Sequence, residues 1–386
     1  MKTVLVTGAR GFIGRNLVAH LQQRGDVRLL QYDLENTESE LGEWAGQADV
    51  VFHLAGVNRP EHAAEFEAGN AGFTARLCQS LTERNRRAHV IFSSSIQAEL
   101  DNPYGKSKRL AEEVLRRFAC RTGARLSIFR LKNVFGKWCR PNYNSVVATF
   151  CHNLARDLPI QVSDPSRSLE LVHVDDVVAA LVKEMDRPEA REDVFAPLGG
   201  IPSYCLTLGD LAGRIQFFHQ MQQSLQVPDF SIRFNRQLYA TYLSYVEAGR
   251  WQYGLTIKSD ARGQLAEFVK SPWFGQLFVS RTLPGVTRGN HYHHVKTEKF
   301  LVVDGEGLIR FRHIEGTEIL EYHVRGEKFQ VVDIPPGYTH AITNVGATEM
   351  TTLFWASEIL APDRPDTYFL PVDLVATGPG TASSGP

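Results

Sequence analysis

Three histidines and a glutamate in the C-terminal third have side chains that bind transition metals. His291 and His293 are two positions apart, Glu298 follows them, and His340 lies further along the chain. Residues two apart on a strand point to the same face, so both imidazoles can reach one ion. Three imidazoles and one carboxylate suit Zn²⁺, Ni²⁺, Mn²⁺ or Fe²⁺. The spacing predicts one divalent metal ion, with Zn²⁺ expected first and the identity open.

A second reactive set lies in the N-terminal half. Tyr104 and Lys108 are four residues apart at the start of a predicted helix, so both lie on one face. A nearby ammonium favours the phenolate, so we expect Lys108 to lower the pKa of Tyr104 and make it a usable acid near neutral pH. Ser94 and Ser95 end a predicted strand, where hydroxyls face the ligand crevice of an α/β sheet. The set predicts general acid catalysis.

A glycine-rich loop separates the first predicted strand from the first helix. Glycines permit close backbone approach, and the N–H groups of a helix N-terminus bind phosphate. Asp33, after the second strand, occupies the position where a carboxylate hydrogen-bonds an adenosine ribose 2′-OH, which favours NAD; a solvated turn residue is the alternative. The expected dinucleotide-binding residues of the loop are Gly8, Gly11, Phe12, Ile13 and Gly14.

Two architectures must position these residues. In the first half, β-branched runs alternate with helical stretches of about 10–15 residues, which predicts a Rossmann-like, doubly wound parallel sheet with helices on both faces. From about Tyr253, short strands separated by Gly, Asp and Pro predict an antiparallel sandwich or barrel. We expect domains at residues 1–245 and 246–372, and a disordered tail at 373–386 with little apolar surface to bury.

Composition excludes several classes of protein. The 386 residues contain 42 Lys and Arg against 43 Asp and Glu, which gives no general reason to expect nucleic acid or an anionic membrane as a partner. No run approaches the ~18 apolar residues of a membrane span. The five cysteines are scattered without a C-x-x-C pair, so we expect neither disulfides nor a thiolate zinc site, and a reducing, cytoplasmic location.

Several N-terminal segments follow one another in the order of a known family: Thr7-Gly-Ala-Arg-Gly-Phe-Ile-Gly14, His53-Leu-Ala-Gly56, Ser93-Ser-Ser95, Pro103-Tyr-Gly-Lys-Ser-Lys108, Arg130-Leu-Lys-Asn133 and His173-Val-Asp-Asp176. They resemble the extended short-chain dehydrogenase/reductases that act on nucleotide sugars. The resemblance implies a nicotinamide cofactor and catalytic roles for Ser95, Tyr104 and Lys108, with Ser94 as the alternate serine. It also implies that Lys108 binds the cofactor, that Leu54, Ala55 and Gly56 lie along it, and that Asn133 contacts substrate.

Two departures from that family matter. Only eight residues separate Ser95 from Tyr104, fewer than in its sugar epimerases. The family's arginine four positions before His173 is Leu169 here. We therefore expect Arg140 to bind the substrate diphosphate, a solvent-facing arginine being the alternative.

The metal-binding spacing extends to Gly285-x5-His291-x-His293-x4-Glu298-x6-Gly305 and Pro335-x-Gly337-x2-His340-x3-Asn344. Both segments resemble the cupin motifs, apart from a glycine expected near Phe329, and imply a double-stranded β-helix, or jelly roll. Some cupin sugar epimerases use histidine without a metal, which is the alternative here. Asp260-Ala-Arg-Gly263 is similar to a motif of cupin keto-sugar epimerases, which implies that Arg262 binds substrate. His294 is expected not to be a ligand.

The two domains together resemble a family of bifunctional capsular polysaccharide enzymes, with local matches at residues 53–62, 135–145 and 365–370. This implies a homodimer acting on a UDP-4-keto-6-deoxy-N-acetylhexosamine. The cupin would epimerise C3, and the reductase would then reduce C4 with NADPH or NADH to UDP-2-acetamido-2,6-dideoxy-L-talose, toward UDP-N-acetyl-L-fucosamine. The resemblance implies NADPH, whereas Asp33 favours NADH. The alternatives are a single-activity reductase or epimerase whose cupin is a dimerisation module, and a redox sensor without turnover.

Overall fold

The structure is a computed structural model that describes residues 1–62, 64–84, 86–188, 200–260, 263–266, 269, 273, 275–358 and 365–374. The chain divides into two compact units. One comprises Met1–Phe150 and Ile160–Gly213, and the other Cys151–Pro159 and Arg214–Pro386. Nearly all of the tail expected at 373–386 lies outside the described residues.

The N-terminal unit contains a parallel sheet in the order β2-β1-β3-β4-β5 and a smaller sheet in the order β6-β7-β8. The strands are β1 (Lys2–Thr7), β2 (Val27–Tyr32), β3 (Val50–His53), β4 (His89–Ser95), β5 (Leu126–Leu131), β6 (Asn133–Phe135), β7 (Ser168–His173) and β8 (Ser203–Thr207). The helices are α1 (Phe12–Leu21), α2 (Glu38–Gln47), α3 (Ala64–Glu67), α4 (Phe73–Glu83), α5 (Pro103–Thr122), α6 (Val146–Leu154), α7 (Val174–Asp186) and α8 (Leu208–Ser224). The division between the two units falls within α6 and again within α8. The predicted Rossmann-like fold is confirmed.

The main sheet is buried on both faces, as expected for parallel strands covered by helices. Alternate residues of β4 enter different cores: Val90 and Phe92 pack with Leu77 and Leu115, whereas Ile91 joins the core on the other face. The strand order reverses between β1 and β3, and open α/β sheets bind ligands at such a switch point, outside the carboxyl ends of the strands. The fold therefore opens its crevice beside the glycine loop.

The C-terminal unit is a β-sandwich of two five-stranded antiparallel sheets, preceded by α9 (Arg233–Leu243). The first sheet has the order β12-β19-β14-β17-β9 and the second β16-β15-β18-β13-β20. The strands are β9 (Gln252–Gly254), β10 (Ile257–Asp260), β11 (Gly263–Ala266), β12 (Gln276–Thr282), β13 (Thr287–Tyr292), β14 (Glu298–Asp304), β15 (Glu306–His313), β16 (Ile319–Arg325), β17 (Gln330–Ile334), β18 (Tyr338–Asn344), β19 (Met350–Ala356) and β20 (Tyr368–Phe369). This confirms the predicted all-β cupin fold.

Helical residues before the sandwich pack against its first sheet. The Gln222 side chain donates to the Asp333 carboxylate at 3.2 Å, and the Phe230 ring lies 5.5 Å from that of Trp355. These contacts group residues from 214 onward with the β-sandwich. The functional boundary expected between residues 245 and 246 stays a prediction. Among the described helices, none combines the length and hydrophobicity needed to cross a bilayer.

A buried ion pair lies in this packing region. Lys299 of β14 and Asp333 of β17 are register partners, their charged atoms are 2.5 Å apart, and the side chains are 3% and 1% exposed. Lys299 also donates to the Tyr253 hydroxyl at 2.9 Å. Because both charges are removed from water, each is stabilised mainly by the opposite charge of the other.

Replacing Asp333 by alanine should destabilise the C-terminal unit by about 3–5 kcal/mol, because it leaves the Lys299 ammonium buried without its carboxylate. Urea unfolding followed by tryptophan fluorescence measures the loss. Asp373→Asn, which breaks an exposed pair with Arg310, should cost far less. Equal effects of the two substitutions would contradict the importance of the buried pair.

Candidate active sites

The loop between β1 and α1 has the close packing that a dinucleotide site needs. Gly8 has φ +70°, and a Cβ there would lie 2.7 Å from the backbone nitrogen of Ala55. A Cβ on Gly14 would lie 2.0 Å from the Gly8 carbonyl oxygen. Gly11 is the N-cap of α1, with Phe12 and Ile13 in its first turn. The backbone N–H groups at this helix N-terminus can receive a diphosphate.

The segment after β3 links this loop to Lys108. The Leu54 N–H donates to the Thr7 carbonyl at 3.1 Å, and Ala55 lies against Gly8. A Cβ on Gly56 would lie 3.5 Å from the Lys108 Nζ. Leu54, Ala55 and Gly56 therefore run from the glycine loop towards Lys108 of α5, as a segment along a cofactor would.

His53 is the buried residue directly before this segment, and sequence reasoning gave it no role. Its ring nitrogens are hydrogen-bonded to the hydroxyls of Thr7 and Thr74, each at 2.8 Å. Burial, with a smaller contribution from Lys108, lowers the pKa of His53 to about 3, so the ring is neutral. The quoted His53-Leu-Ala-Gly56 match was the available signal for this residue.

Asp33 lies beside the glycine loop, at the end of β2. Its carboxylate accepts the backbone N–H of Arg10 at 2.7 Å and that of Leu34 at 2.9 Å. The Arg10 guanidinium in turn pairs with Glu35 at 2.5 Å. The carboxylate is thus held at the loop, where a ribose hydroxyl can donate to it.

Ser95 and Tyr104 meet at the carboxyl end of the sheet. Ser95 ends β4, and Tyr104 is the second residue of α5, whose start is set by the N-cap Asn102 and by Pro103. Burial raises the pKa of Tyr104, while a hydrogen bond with the Ser95 side chain opposes the rise. The structure therefore brings together a serine and a tyrosine able to hold one carbonyl oxygen.

Lys108 lies one helical turn further along α5 and is buried. Its Nζ donates to the Ser93 carbonyl at 2.8 Å and lies 4.6 Å from the centre of the Phe92 ring. Burial lowers the pKa of Lys108 to about 8. The expectation that Lys108 lowers the pKa of Tyr104 is wrong: burial of the phenol dominates and raises that pKa.

Ser94 lies apart from this group. Successive strand residues face opposite sides of a sheet, so Ser94 points away from Ser95. Its hydroxyl donates to the buried Glu112 carboxylate at 2.5 Å, and Arg130 holds the same carboxylate through two nitrogens at 2.9 and 2.7 Å. The geometry gives Ser94 a structural partner and leaves Ser95 as the serine next to Tyr104.

The expected substrate residues have different surroundings. Arg140 is exposed and lies 5.0 Å from the centre of the Tyr143 ring, and Tyr143 is close enough to Tyr104 to act electrostatically on its pKa. Asn133 is exposed on β6 and donates to the Glu170 carbonyl at 3.4 Å. Arg262 lies outside the described residues. The substrate contacts of all three stay predictions.

The second site lies between the two sheets of the sandwich. His291 on β13 pairs with His340 on β18, Glu298 begins β14 in the other sheet, and His293 follows β13. One ligand atom from each of these four residues lies within 4.8 Å of the others. The Glu298 carboxylate is 3.4 Å from Nε2 of both His293 and His340. His294 instead packs edge-on against Tyr368 at 4.8 Å.

The charge states suit a divalent cation. Burial alone would raise the pKa of Glu298, but His293 and His340 hold it well below its usual value. Burial, reinforced by His340 and His293, lowers the pKa of His291 to about 3, and burial also lowers that of His340. The Nε2 atoms of His293 and His340 are buried without a hydrogen-bond partner. Imidazole and carboxylate donors that converge in this way fit a metal ion.

Asp366 is a residue that sequence reasoning missed. It lies in the quoted segment 365–370, which carried no assigned role, and its backbone carbonyl accepts the Nδ1 hydrogen of His293 at 2.5 Å. A hydrogen bond of this kind orients a ligand histidine. No metal-binding spacing in the sequence includes it, because it contacts the cluster through its main chain and from 73 positions away.

Comparison with known proteins identifies the family. Residues 4–195 match the NAD dependent epimerase/dehydratase family, and residues 258–368 match the polysaccharide biosynthesis C-terminal domain. The structure is similar to the crystal structure of capsular polysaccharide assembling protein CapF from Staphylococcus aureus, with 44% identity, a TM-score of 0.65 and coverage of 96% of this chain and 100% of that one. A UDP-2-acetamido-2,6-beta-L-arabino-hexul-4-ose reductase of Pseudomonas aeruginosa is 45% identical over 95% of this chain and 97% of its own length. The chain belongs to the CapF family.

Two other similar proteins match only part of this chain. The spore coat polysaccharide biosynthesis protein SpsL of Bacillus subtilis is 29% identical over 30% of this chain and 83% of its own length. A UDP-N-acetylglucosamine 4-epimerase of Methanobrevibacter ruminantium has a TM-score of 0.53 at 19% identity over 64% of this chain and 98% of its own, which shows a shared fold alone.

If Asp33 accepts a ribose 2′-OH, the protein should prefer NADH, because the carboxylate repels a 2′-phosphate. Asp33→Asn keeps an acceptor for the Arg10 N–H but removes the charge, and should raise the kcat/KM ratio of NADPH to NADH by roughly tenfold. Glu38→Gln, an exposed carboxylate on α2, should leave the ratio unchanged. A strong NADPH preference of the unaltered protein would show that Asp33 does not contact the ribose.

Proposed function

We propose that this protein is an NAD(P)H-dependent reductase of a UDP-2-acetamido-2,6-dideoxy-4-keto-hexose whose cupin also epimerises C3. The observation that carries the proposal is the hydrogen bond between Ser95 and Tyr104 at the carboxyl end of the sheet, with Lys108 one helical turn further along α5 and near Gly56. The near full-length similarity to the Pseudomonas reductase supports the substrate class. The similarity to CapF supports a role in capsule or O-antigen synthesis.

In the reductase site the chain must place the C4 ketone and give its oxygen a proton. The Tyr104 hydroxyl, hydrogen-bonded to Ser95, donates that proton as negative charge develops on the oxygen. Ser95 donates a second hydrogen bond to the same oxygen and fixes its position. A pKa of about 8 keeps Lys108 mostly protonated at neutral pH, where it can bind the ribose hydroxyls of the cofactor. Bound NAD(P)H supplies the hydride.

In the cupin site His291, His293, Glu298 and His340 would hold a divalent metal, for which Zn²⁺ is our first choice. Such an ion acts as a Lewis acid that polarises a carbonyl. The proton at C3 is acidic because it is α to the C4 ketone. Reduction removes that ketone and with it the acidity, so epimerisation has to come first.

The two activities would divide between residues 1–245 and 246–372. Arg262, Arg140 and Asn133 are the proposed substrate contacts, and the tail at 373–386 has no assigned role. We also propose that the protein is a homodimer and is cytoplasmic, as expected from the sequence. Sedimentation velocity of the purified protein measures its oligomeric state. The main alternative is a reductase whose cupin only supports dimerisation.

Replacing Tyr104 by phenylalanine should slow hydride transfer by roughly 10²-fold or more, because the proton donor is lost while the ring contact with Phe66 is kept. NAD(P)H oxidation under single-turnover conditions measures the rate. Solvent deuterium exchange at C3 should continue.

The adjacent serines provide a matched pair for this test. Ser95→Ala should reduce the rate, whereas Ser94→Ala should mainly lower stability by removing its bond to Glu112. Near-normal oxidation of NAD(P)H by the Tyr104 variant would refute the assignment of the acid.

Replacing His340 by alanine removes one donor of the cluster and should abolish deuterium exchange at C3 of the 4-keto sugar, followed by proton NMR. The variant should still reduce the ketone, giving the other C3 stereoisomer. His294→Ala, a neighbour outside the cluster, is the control and should exchange normally. Normal exchange and product stereochemistry in the His340 variant would favour a cupin that only supports dimerisation.

A further inference from the structure

Residues 365–374, which we call the C-terminal strap, run along the sheet that carries His291 and His340. The Thr339 hydroxyl donates to the Leu370 carbonyl, and the Leu370 N–H donates to the Asn290 carbonyl at 2.8 Å. The Arg312 guanidinium, buried on β15, donates to the carbonyls of Val372 and Pro371 at 2.9 Å each. The strap is thus bonded to the residues that directly precede His291 and His340, and to the adjacent strand β15.

Within the strap, the Asp366 carboxylate binds the loop between two ligands. It accepts three consecutive backbone N–H groups: His294 at 2.8 Å on one oxygen, and Val295 at 2.7 Å and Lys296 at 2.6 Å on the other. Hydrogen bonds to an ionised acceptor are stronger than neutral ones. Because this loop joins His293 to Glu298, the carboxylate limits how far these two ligands can move apart.

The Asp366 backbone acts on His293 directly. A carbonyl oxygen can only accept, so the 2.5 Å contact with Nδ1 requires the hydrogen to be on Nδ1. The Nε2 atom of the same ring then faces the Glu298 carboxylate at 3.4 Å and is the nitrogen left to bind a metal ion. One residue therefore sets the tautomer and the ring orientation of one ligand and the loop leading to the next.

From these contacts we infer that Asp366 is a positioning residue of the metal site, and that the C-terminal strap sets the affinity and coordination geometry of the ion. The inference rests on the proposed metal site but not on the proposed epimerisation. Replacing a residue that is hydrogen-bonded to a metal ligand typically weakens metal affinity by roughly 10–100-fold.

The test is metal binding by the full-length protein after removal of metal. Zn²⁺ affinity is measured by competition with a chromophoric chelator, and geometry by the visible absorption of bound Co²⁺. Asp366→Ala should weaken Zn²⁺ binding at least tenfold and change the Co²⁺ bands, because His293 and the loop lose their fixed positions. Asp366→Asn should give an intermediate loss of Zn²⁺ affinity. Its amide oxygen can still accept backbone N–H groups of the loop, but its NH₂ group is a donor and cannot.

Two strap variants serve as controls. Thr367→Val removes only the bond from the Lys296 side chain, and Asp373→Asn removes only the exposed pair with Arg310, so both should keep near-normal affinity and Co²⁺ bands. If Asp366→Ala does not fold, the Co²⁺ spectrum of Asp366→Asn decides. Unaltered affinity and spectrum in the Asp366 variants, or equal losses in the controls, would overturn the inference. Failure of the unaltered protein to bind metal would instead refute the metal site itself.

Discussion

The buried carboxylate of Glu298 is the constraint around which the C-terminal unit is organised. An ionised carboxylate inside a sandwich is costly unless opposite charge or hydrogen bonds compensate it. Here the compensation comes from imidazoles on the opposing sheet, each of which needs its own orientation. The pairing of β13 with β18 places His291 beside His340, and the chain returns as β20 beside β13.

The N-terminal unit meets a different constraint with backbone packing. Its crevice depends on main-chain atoms of the β1–α1 loop approaching those after β3, which leaves no room for a Cβ on Gly8. The buried His53 then holds both segments through two threonine hydroxyls without adding a charge. One site is thus built by bringing polar groups together, and the other by excluding side chains.

Short-range patterns predicted most of this from the sequence. The glycine loop, the Tyr104/Lys108 spacing and the two segments that carry the metal donors are all short motifs. The structure packs the glycine loop closely and brings the four donors together. What could not be predicted depends on three-dimensional surroundings. The pKa of Tyr104 is raised by its burial, and the hydroxyl of Ser94 is bonded to Glu112 because that carboxylate lies beside it. The contact of Asp366 with His293 depends on a return of the chain that no spacing encodes.

The packing of residues from 214 onward against the β-sandwich bears on how much of the chain must be kept when the cupin is transferred to another protein. On β14, Glu298 faces the ligand cluster while its neighbour Lys299 faces the opposite side, towards the ion pair with Asp333 and the helical residue Gln222. A cupin recruited into another gene without those helical residues would therefore expose charges that its own strands cannot cover. The segment that must be transferred is then larger than the segment that carries the four ligands, and it begins near residue 214.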